Sequence, residues 1–484
     1  MTNRHIAASV TNLRLKFPDD PQLRFKDLSI SFEKGEKVLL LGPSGCGKST
    51  FLQVLSGLIP SSIEVPVKTE DIQLPQSWGY VFQDPDTQFC MPYVDEEIAF
   101  VLENLCVPRQ EMPTRIKALL AEVGLTFDDL HTNIQTLSGG MKQRLAIASV
   151  LALEPDVLFL DEPTAMLDPE GSKSIWDTVK NVSDEKTLLI VEHKLEHVLD
   201  LVERIVLFNQ NGEIIADGEK GYILTHYKST LKEHGVWYPG VWEDYLRSRT
   251  KPLMNDPRAE IVFDLQGFQG LRKKDPAITV PSATITTGEW ITITGANGAG
   301  KSTLLLSLMQ FLKTKGTYTL FGNSVKKTRN VTEYLTFVFQ NPEFQFVTNT
   351  VYDEVAYALR IEQMDEQFIE EKVNERLECF GLNGLRKHHP YQLSIGQKRR
   401  LSVAASIIKN PPVLLLDEPT FGQDSRNTFA LLEMLEEYRV NGTTILMVTH
   451  DEEIVKHFAT RVWKIDDGQL TSDYFNVEKE LVNA

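Results

Sequence analysis

The chain has 484 residues, a hydrophobic fraction of 42%, a charged fraction of 24% and a formal net charge of −17. It is too long for one ordinary domain, so two or three are expected, and its acidic balance argues against a general role in coating nucleic acid. The four cysteines form neither a C-x-x-C pair nor a cluster with histidine, which indicates reduced thiols in a cytosol rather than disulfides or a zinc site.

Membrane-spanning segments are not expected in this sequence. No window reaches the roughly 18 continuous apolar residues that a spanning helix needs, and the N-terminus carries no apolar core of signal-peptide length. Any action on a membrane is therefore expected to pass through a partner.

A strand, a glycine loop and a helix form the first element with a clear chemical meaning. An apolar run at residues 38–41 precedes the loop, and residues 51–55 continue it as a helix. The loop consists of Gly42, Pro43, Ser44, Gly45, Cys46, Gly47, Lys48, Ser49 and Thr50. In a G-x-x-x-x-G-K-[ST] loop, backbone N–H groups turn toward phosphate oxygens and the helix N-terminus adds partial positive charge. We therefore expect Lys48 to reach the outer phosphates of a nucleotide and Ser49 to bind Mg²⁺.

The same loop occurs a second time, after an apolar run at residues 290–294. The second copy consists of Gly295, Ala296, Asn297, Gly298, Ala299, Gly300, Lys301, Ser302 and Thr303. The lysines of the two loops, Lys48 and Lys301, are 253 residues apart. Four further motifs recur at nearly the same offset, 256 or 257 residues. The paired residues of these motifs are Gln83 and Gln340, Ser138 and Ser394, Asp161 and Asp417, and His193 and His450. A near-constant offset predicts two homologous modules in tandem.

We place the first module at residues 1–218 and the second at 259–484. The linker between them, residues 219–258, is rich in aromatic residues, whereas a flexible linker is polar and rich in glycine and serine. We therefore expect the linker to pack against a module, with docking of a partner as the alternative.

The pattern of apolar runs predicts an α/β fold with two tandem phosphate-loop domains. Residues 157–160 and 413–416 are short apolar runs that end in acids, as buried parallel strands do, and residues 140–151 and 397–408 have helical spacing. The first acid after each run, Asp161 or Asp417, can hold Mg²⁺. The second, Glu162 or Glu418, can activate an attacking water, since the metal leaves it free.

Two turns complete a resemblance to a known family. Residues 137–144 read L-S-G-G-M-K-Q-R, and residues 393–400 read L-S-I-G-Q-K-R-R. With the phosphate loops, these are similar to the signature motif of ATP-binding-cassette (ABC) ATPases, and the resemblance covers both modules. It implies a mostly parallel sheet and a signature-bearing helical subdomain in each cassette. It also implies that the cassettes close head to tail around two ATP molecules, each between one phosphate loop and the other module's signature.

The resemblance assigns further binding residues. In the signatures these are Ser138, Gly139 and Gly140 in the first module and Ser394, Gly396 and Gln397 in the second, where Ile395 replaces a glycine and should weaken the site. Gln83 and Gln340 would touch Mg²⁺ and water and sense the transport partner. His193 and His450 would contact the γ-phosphate. Asp168 and Asp424 match the aspartates of the loop that follows the acidic strand.

An aromatic residue stacks on adenine in this family, and only the first module offers a clear match. Phe17 fits that role, with plain core packing as the alternative. In the second module the ungapped counterpart is Gly270 and the nearest aromatic is Phe268, so adenine stacking there is not assigned.

The segments after each glutamine narrow the family. Residues 83–100 and 340–357 are similar to the ATPase components of energy-coupling-factor importers for vitamins and metal ions, some of which take up thiamin precursors. The resemblance implies a peripheral ATPase at the cytoplasmic face of the cell membrane, partnered by transmembrane subunits and a substrate-binding membrane component. In this interpretation the acids of these segments dock the membrane subunit. In the alternative they are solvated residues at the start of a helix.

Two other functions remain open from the sequence. One is the fused ATPase of a monosaccharide importer. The glutamine-proline segments and the intact second phosphate loop argue against it. The other is a soluble tandem cassette acting on the ribosome, which should carry a long, charged, helical insertion between its modules. The short aromatic linker argues against the latter.

Overall fold

The computed structural model of the protein describes residues 6–18, 22–165, 167–249, 260–325 and 331–476. Its contacts divide the chain into two compact units. The first consists of Met1–Val241 with Asp424–Arg426, and the second of Trp242–Gln423 with Asn427–Ala484. The predicted module boundaries at residues 218 and 258 stay a prediction.

Ten strands form two sheets in the first unit. They are β1 (Ile6–Leu15), β2 (Phe25–Glu33), β3 (Lys37–Leu41), β4 (Val67–Lys68), β5 (Asp71–Gln73), β6 (Trp78–Val81), β7 (Val157–Asp161), β8 (Thr187–Val191), β9 (Arg204–Phe208) and β10 (Ile214–Glu219). The six-stranded sheet has the order β10-β9-β3-β8-β7-β6 and is parallel except for β10. The other sheet is antiparallel, with β1 paired to β2, β4 and β5. Every residue of β7 and β8 is buried, as in parallel strands covered on both faces.

Eight helices belong to the first unit. They are α1 (Lys48–Leu55), α2 (Leu58–Ser61), α3 (Val94–Asn104), α4 (Met112–Glu122), α5 (Gly139–Leu151), α6 (Pro169–Val182), α7 (Lys220–His226) and α8 (Lys228–Glu233). α1 follows the first phosphate loop, and α5 begins at the first signature turn.

The second unit repeats this arrangement in one ten-stranded sheet. Its strands are β11 (Ile261–Arg272), β12 (Asp275–Thr286), β13 (Trp290–Thr294), β14 (Lys313–Leu320), β15 (Asn323–Ser324), β16 (Leu335–Val338), β17 (Val413–Asp417), β18 (Thr444–Val448), β19 (Arg461–Asp466) and β20 (Gln469–Phe475). The order is β15-β14-β11-β12-β20-β19-β13-β18-β17-β16, and the run from β19 to β16 is parallel. Its helices are α9 (Val241–Ser248), α10 (Lys301–Leu308), α11 (Val351–Ile361), α12 (Glu366–Cys379), α13 (Ile395–Ile407), α14 (Ser425–Val440) and α15 (Glu452–Phe458).

The strand order explains where a site can form. In each module the phosphate loop follows one parallel strand, β3 or β13, and the acids end the strand two places away, β7 or β17. The strand between them, β8 or β18, leads to the predicted histidine. Because the carboxyl ends of parallel strands meet at one edge of a sheet, all three motifs converge there. The predicted α/β class is confirmed.

Helices occupy most of the predicted linker. α7 and α8 bury Ile223 and Leu231. On α9, the Tyr245 ring stacks on Phe429 with a centroid distance of 4.0 Å, and the Trp242 ring lies edge-on to Phe429 at 4.9 Å. These aromatic side chains are packed. Residues 250–258 of the linker lie outside the described part of the chain.

Candidate nucleotide site

The lysine of each phosphate loop is buried and bound to its own loop. Lys48 Nζ donates to the carbonyl oxygens of Gly42 at 2.8 Å and Pro43 at 3.0 Å. Lys301 Nζ donates to Gly295 at 2.7 Å and Ala296 at 2.9 Å. Each ammonium group is therefore held by carbonyl dipoles and lies where the loop can present it to a phosphate.

Glycine is required at two positions of these loops. Gly47 and Gly300 precede α1 and α10 with φ near 108° and 107°, in the left-handed region that side chains disfavour. A Cβ atom on Gly295 would lie 2.1 Å from the carbonyl oxygen of Ile465, so the loop passes too close to β19 for any side chain. The loop shape is consequently fixed by the sequence.

In the first module, the acid that ends β7 meets the loop hydroxyl. Ser49 Oγ donates to Asp161 Oδ1 at 2.7 Å, and the buried Tyr80 hydroxyl donates to Asp161 Oδ2 at 2.9 Å. Burial, and after it the neighbouring Glu162 charge, raise the pKa of Asp161 to about 6. A cation bound at Ser49 and Asp161 would oppose that rise, because it favours the ionised carboxylate.

The second module has a different support around the equivalent acid. Phe337 stands in the place of Tyr80, and it has no hydroxyl group. Among the described residues, Asp417 Oδ1 is buried without a hydrogen-bond partner. Burial raises the pKa of Asp417, and the Ser302 hydroxyl opposes that rise. A carboxylate oxygen with an open coordination position beside a serine hydroxyl fits the oxygen ligands that Mg²⁺ prefers.

The second acid of each pair contacts the predicted histidine. His193 Nε2 lies 3.0 Å from Glu162 Oε1, and Gln83 Nε2 donates to Glu162 Oε2 at 2.9 Å. Burial alone would raise the pKa of Glu162, but the charge and hydrogen bond of His193 outweigh it and the pKa is lowered. Burial would likewise lower the pKa of His193, and Glu162 raises it overall. Glu162 is thus ionised and oriented, as a general base must be.

The same pairing occurs in the second module at a longer distance. His450 Nε2 lies 3.4 Å from Glu418 Oε1. Both glutamates have a left-handed backbone, with φ of 49° for Glu162 and 51° for Glu418. That conformation is costly for a residue with a side chain, and its occurrence at both equivalent positions indicates a functional constraint.

The two signature turns cap their helices. Ser138 Oγ accepts from the Met141 amide at 3.3 Å at the start of α5, where Gly139 and Gly140 form the first turn. At α13, Ser394 Oγ accepts from the Gln397 amide, and Gln397 Oε1 accepts from the Ser394 amide at 2.9 Å.

The Gln397 side chain is therefore engaged by its own helix cap. Gly396 lies in the first turn of α13, where a Cβ atom would make ordinary contact with the Gly422 carbonyl oxygen at 3.9 Å. The side chain of Ile395 lies outside the described part of the chain.

Comparison with known proteins identifies the family. The sequence profile described as ABC transporter matches residues 25–165 and 279–421, which include both phosphate loops and both acidic strand ends. The chain belongs to this family. It is an ATP-binding subunit with two ABC cassettes, and it hydrolyses ATP.

Relatives of this ABC ATPase align with it over most of their own lengths. Bacillus subtilis (strain 168) YkoD, whose name gives HMP/thiamine import as a provisional function, is 36% identical over 501 residues, covering 96% of this chain and 91% of that protein. An ABC transporter ATP-binding protein of Streptococcus pneumoniae is 35% identical, with 96% and 89% covered. One from Methanosarcina mazei is 33% identical, with 96% and 88% covered.

Several residues predicted to bind nucleotide have structural partners in this ABC ATPase. Asp168 caps α6 through the Gly171 amide at 2.7 Å, and Asp424 is buried just before α14. Phe17 is half-buried against the core of the first module, which leaves both its stacking role and the packing alternative open. Phe268 is fully buried with its ring edge-on to Tyr318, so it is a core residue.

The prediction that the acids after each glutamine are docking groups is wrong for Glu97 and Glu354, and so is the solvated alternative. Both are buried. Glu97 Oε2 accepts from the amides of Cys90 and Met91 at 2.9 Å each, and Glu354 Oε2 accepts from the Thr348 amide at 2.9 Å. These carboxylates fix the loop that follows the glutamine.

Sequence reasoning missed a repeated link between the glutamine segment and the signature helix. In the first module, Lys142 Nζ on α5 lies 2.7 Å from Asp86 Oδ1. In the second, Lys398 Nζ on α13 lies 2.5 Å from Glu343 Oε1. The pairs recur at offsets of 256 and 257, the same signal that identified the other motifs. In each module one ion pair therefore joins the glutamine segment to the signature helix.

Proposed function

We propose that this ABC ATPase energises an importer of the energy-coupling-factor type, that its substrate is a vitamin or a metal ion, and that a thiamin precursor is the narrower candidate. The observation that carries this proposal is a group of exposed apolar side chains within and after the second glutamine segment, which we call the apolar patch. The patch consists of Phe344, Val347, Tyr357 and Ile361, of which Phe344 is 76% exposed, Val347 63% and Ile361 65%. Exposed apolar groups clustered along one segment mark a surface for a protein partner.

The position of the patch suits a coupling surface. Phe344 ends the short helix Pro342–Phe344 that follows Gln340, and Tyr357 and Ile361 are four residues apart on α11, hence on one face. Glu343, next to Phe344, is the residue bound by Lys398 of the signature helix. A partner seated on the patch would therefore act on the signature turn through one ion pair.

In the described part of the chain, no helix combines the length and apolarity that a membrane span requires. ABC ATP-binding relatives work with transmembrane components. The name of YkoD supports the narrower substrate class, since the two chains align over nearly their whole lengths.

The chemistry that we propose uses the same groups in both modules. Lys48 and Lys301 bind the outer phosphates of ATP, and the glutamates act on the attacking water as general bases. The histidines hold that water, and His193 keeps Glu162 ionised, which fits the 3.0 Å contact between them. Mg²⁺ would be held by Ser49, Asp161 and Gln83 in the first module and by Ser302, Asp417 and Gln340 in the second. When bound, it neutralises charge on the phosphates.

We further propose that ATP draws the two cassettes together head to tail, with each signature completing the other module's site. Serine hydroxyls, amide groups and a helix N-terminus, as at Ser138 and α5, form an anion site that a γ-phosphate can engage. Hydrolysis then reopens the pair, and a separate membrane subunit follows this motion.

Co-purification tests the assignment. The chain is isolated from detergent-solubilised membranes, and the associated proteins are identified. We expect multi-spanning membrane proteins, including a small substrate-binding component. Recovery with ribosomes and with no membrane protein would contradict the transporter assignment, and recovery with sugar-importer permeases would contradict the importer type.

Charged substitutions in the patch sharpen that test. Phe344→Asp with Ile361→Asp should abolish co-purification while the isolated chain keeps its ATPase activity. Tyr474→Asp, at a side chain that is 53% exposed on β20, is the matched control and should keep the membrane partners. Equal recovery with the patch variant and the control would exclude the patch as the docking surface.

A further inference from the structure

A buried arginine in the second module joins three catalytic segments. Arg399 lies on the signature helix α13, where it is 3% exposed. Its Nη1 donates to the carbonyl oxygen of Glu418, and its Nη2 donates to the carbonyl oxygen of Gln340 at 2.8 Å. The guanidinium also lies over the Phe421 ring, 5.4 Å from its centroid. One side chain thus connects the signature helix, the glutamine segment and the acidic strand end.

The geometry suits arginine and no other residue. A planar guanidinium binds these two carbonyls through two separate nitrogens in a fixed fork, whereas lysine offers a single nitrogen that cannot occupy both positions. Burial lowers the pKa of Arg399 to about 10, and the charges of Glu418 and Asp417 oppose that change. The arginine stays charged at neutral pH and is compensated by the two acids beside it.

The first module has no arginine at the equivalent position. Gln143 occupies the position equivalent to Arg399, and Ala165 the position equivalent to Phe421, each at an offset of 256. Gln143 Nε2 donates to the carbonyl oxygen of Phe82 at 3.4 Å, a long bond to the residue before the predicted glutamine. The phosphate loops and the acids are alike in the two modules. The residue that connects the signature helix to the acidic strand end therefore distinguishes the second module from the first.

The backbone of Glu418 explains why its carbonyl matters. The residue has a φ of 51°, and its amide donates to the carbonyl oxygen of Val448 at 3.1 Å. The conformation is held at the amide by β18, and at the carbonyl by Arg399 and by the Phe421 amide, which donates at 3.2 Å. Loss of Arg399 would leave that carbonyl with the Phe421 amide, would break its link to the glutamine segment, and would loosen the position of the Glu418 backbone.

We propose that Arg399 is a positioning residue that couples the glutamine segment to Glu418, so that displacement of Gln340 by a partner on the apolar patch sets the rate of ATP hydrolysis in the second module. The coupling to a membrane partner rests on the proposed function. The control of Glu418 by Arg399 does not, because it acts within the second module.

The test measures ATPase kinetics of the full-length chain, alone and with its co-purified membrane complex. Arg399→Gln installs the residue of the first module. We expect kcat to fall roughly tenfold, well within the ~100-fold that a 1 Å misplacement can cost, with KM for ATP unchanged. The stimulation of ATPase activity by the membrane complex should also be lost. Gln143→Ala, at the same helix position in the first module, is the matched control and should leave the stimulation unchanged.

Arg399→Lys separates positioning from simple charge compensation. We expect it to restore the thermal stability lost in Arg399→Gln but not kcat, because one ammonium nitrogen cannot occupy both the Nη1 and the Nη2 positions. Full recovery of kcat in the lysine variant would overturn the proposal, as would a drop in melting temperature with kcat and stimulation unchanged. If Arg399→Gln does not fold, the kcat of Arg399→Lys decides in the same way. A wild-type chain that no membrane complex stimulates would contradict the proposed function, whereas kcat of the isolated variants would still decide the role of Arg399.

Discussion

Removal of one hydroxyl group should weaken metal binding in the first module. Tyr80 donates to Asp161 Oδ2 at 2.9 Å, and burial together with Asp161 raises the pKa of Tyr80, so the phenol remains a donor at every working pH. Tyr80→Phe deletes only this bond. The substitution is compatible with the fold, because Phe337 occupies the equivalent position in the second module.

The size of the effect follows from the pKa of the acid. A hydrogen bond to a charged group contributes about 1.5 to 3 kcal/mol, which corresponds to about 1 to 2 pKa units. The pKa of Asp161 is raised to about 6, so the variant acid should titrate near about 7 to 8. Protons would then compete with Mg²⁺ at pH 7, and the apparent affinity should fall by about 2- to 10-fold.

The assay must report on one module at a time. In a chain carrying Lys301→Ala, binding of a fluorescent nucleotide is measured as Mg²⁺ is titrated, at pH 7 and at pH 9. We expect Tyr80→Phe to require more Mg²⁺ at pH 7 and to match its parent at pH 9, where the acid is ionised in both chains.

The reverse substitution serves as the control. Phe337→Tyr, in a chain carrying Lys48→Ala, gives Asp417 a donor and should leave Mg²⁺ binding at pH 7 unchanged or improved. An equal Mg²⁺ requirement in Tyr80→Phe and its parent at both pH values would refute the reasoning. A loss of the same size at pH 7 and pH 9 would show that the phenol acts through packing instead of through proton competition.

Three further predictions test other parts of the site. Glu418→Gln should lower the ATPase activity of the membrane complex more than Glu162→Gln, because in the proposed pairing Glu418 faces the intact signature; equal losses or the reverse order would contradict that pairing. Asp161→Asn should raise the free energy of unfolding of the chain without nucleotide at pH 8 by up to about 3 kcal/mol, measured by chemical denaturation, because an acid whose pKa is raised by folding destabilises the fold when it is ionised. This gain should shrink as the pH falls from 6 to 4, where the acid becomes protonated. Glu97→Ala leaves two amides without their acceptor and should cost about 2 to 3 kcal/mol, whereas Glu103→Ala, at an exposed position of the same helix, should be neutral by thermal melting.

Local sequence was sufficient for the features that depend on chain direction and spacing. The phosphate loops, the acids at strand ends and the α/β class follow from runs of fewer than about ten residues, in which a strand, a turn and a helix succeed one another. The duplicated offset then joined distant motifs, because the same fold was built twice. Pairing of Glu162 with His193 was within reach of this reasoning, since both follow adjacent parallel strands.

The supports of the site were not within reach, because they depend on contacts between distant residues that no motif encodes. Tyr80 meets Asp161 across 81 positions and Arg399 meets Gln340 across 59, and both were overlooked as ordinary strand and helix residues. Glu97 was misjudged for the same reason. A carboxylate in the first turn of a helix is usually solvated, and only the loop folded over it makes it a buried acceptor.

The lysines that fold back on their own loops also have a consequence for ligand choice. Because carbonyl oxygens already hold Lys48 and Lys301, an incoming phosphate exchanges one set of acceptors for another, and its affinity is the difference between them. A nucleoside without phosphates gains nothing from that exchange. The loop therefore responds to the density of negative charge that the polyphosphate chain of ATP provides.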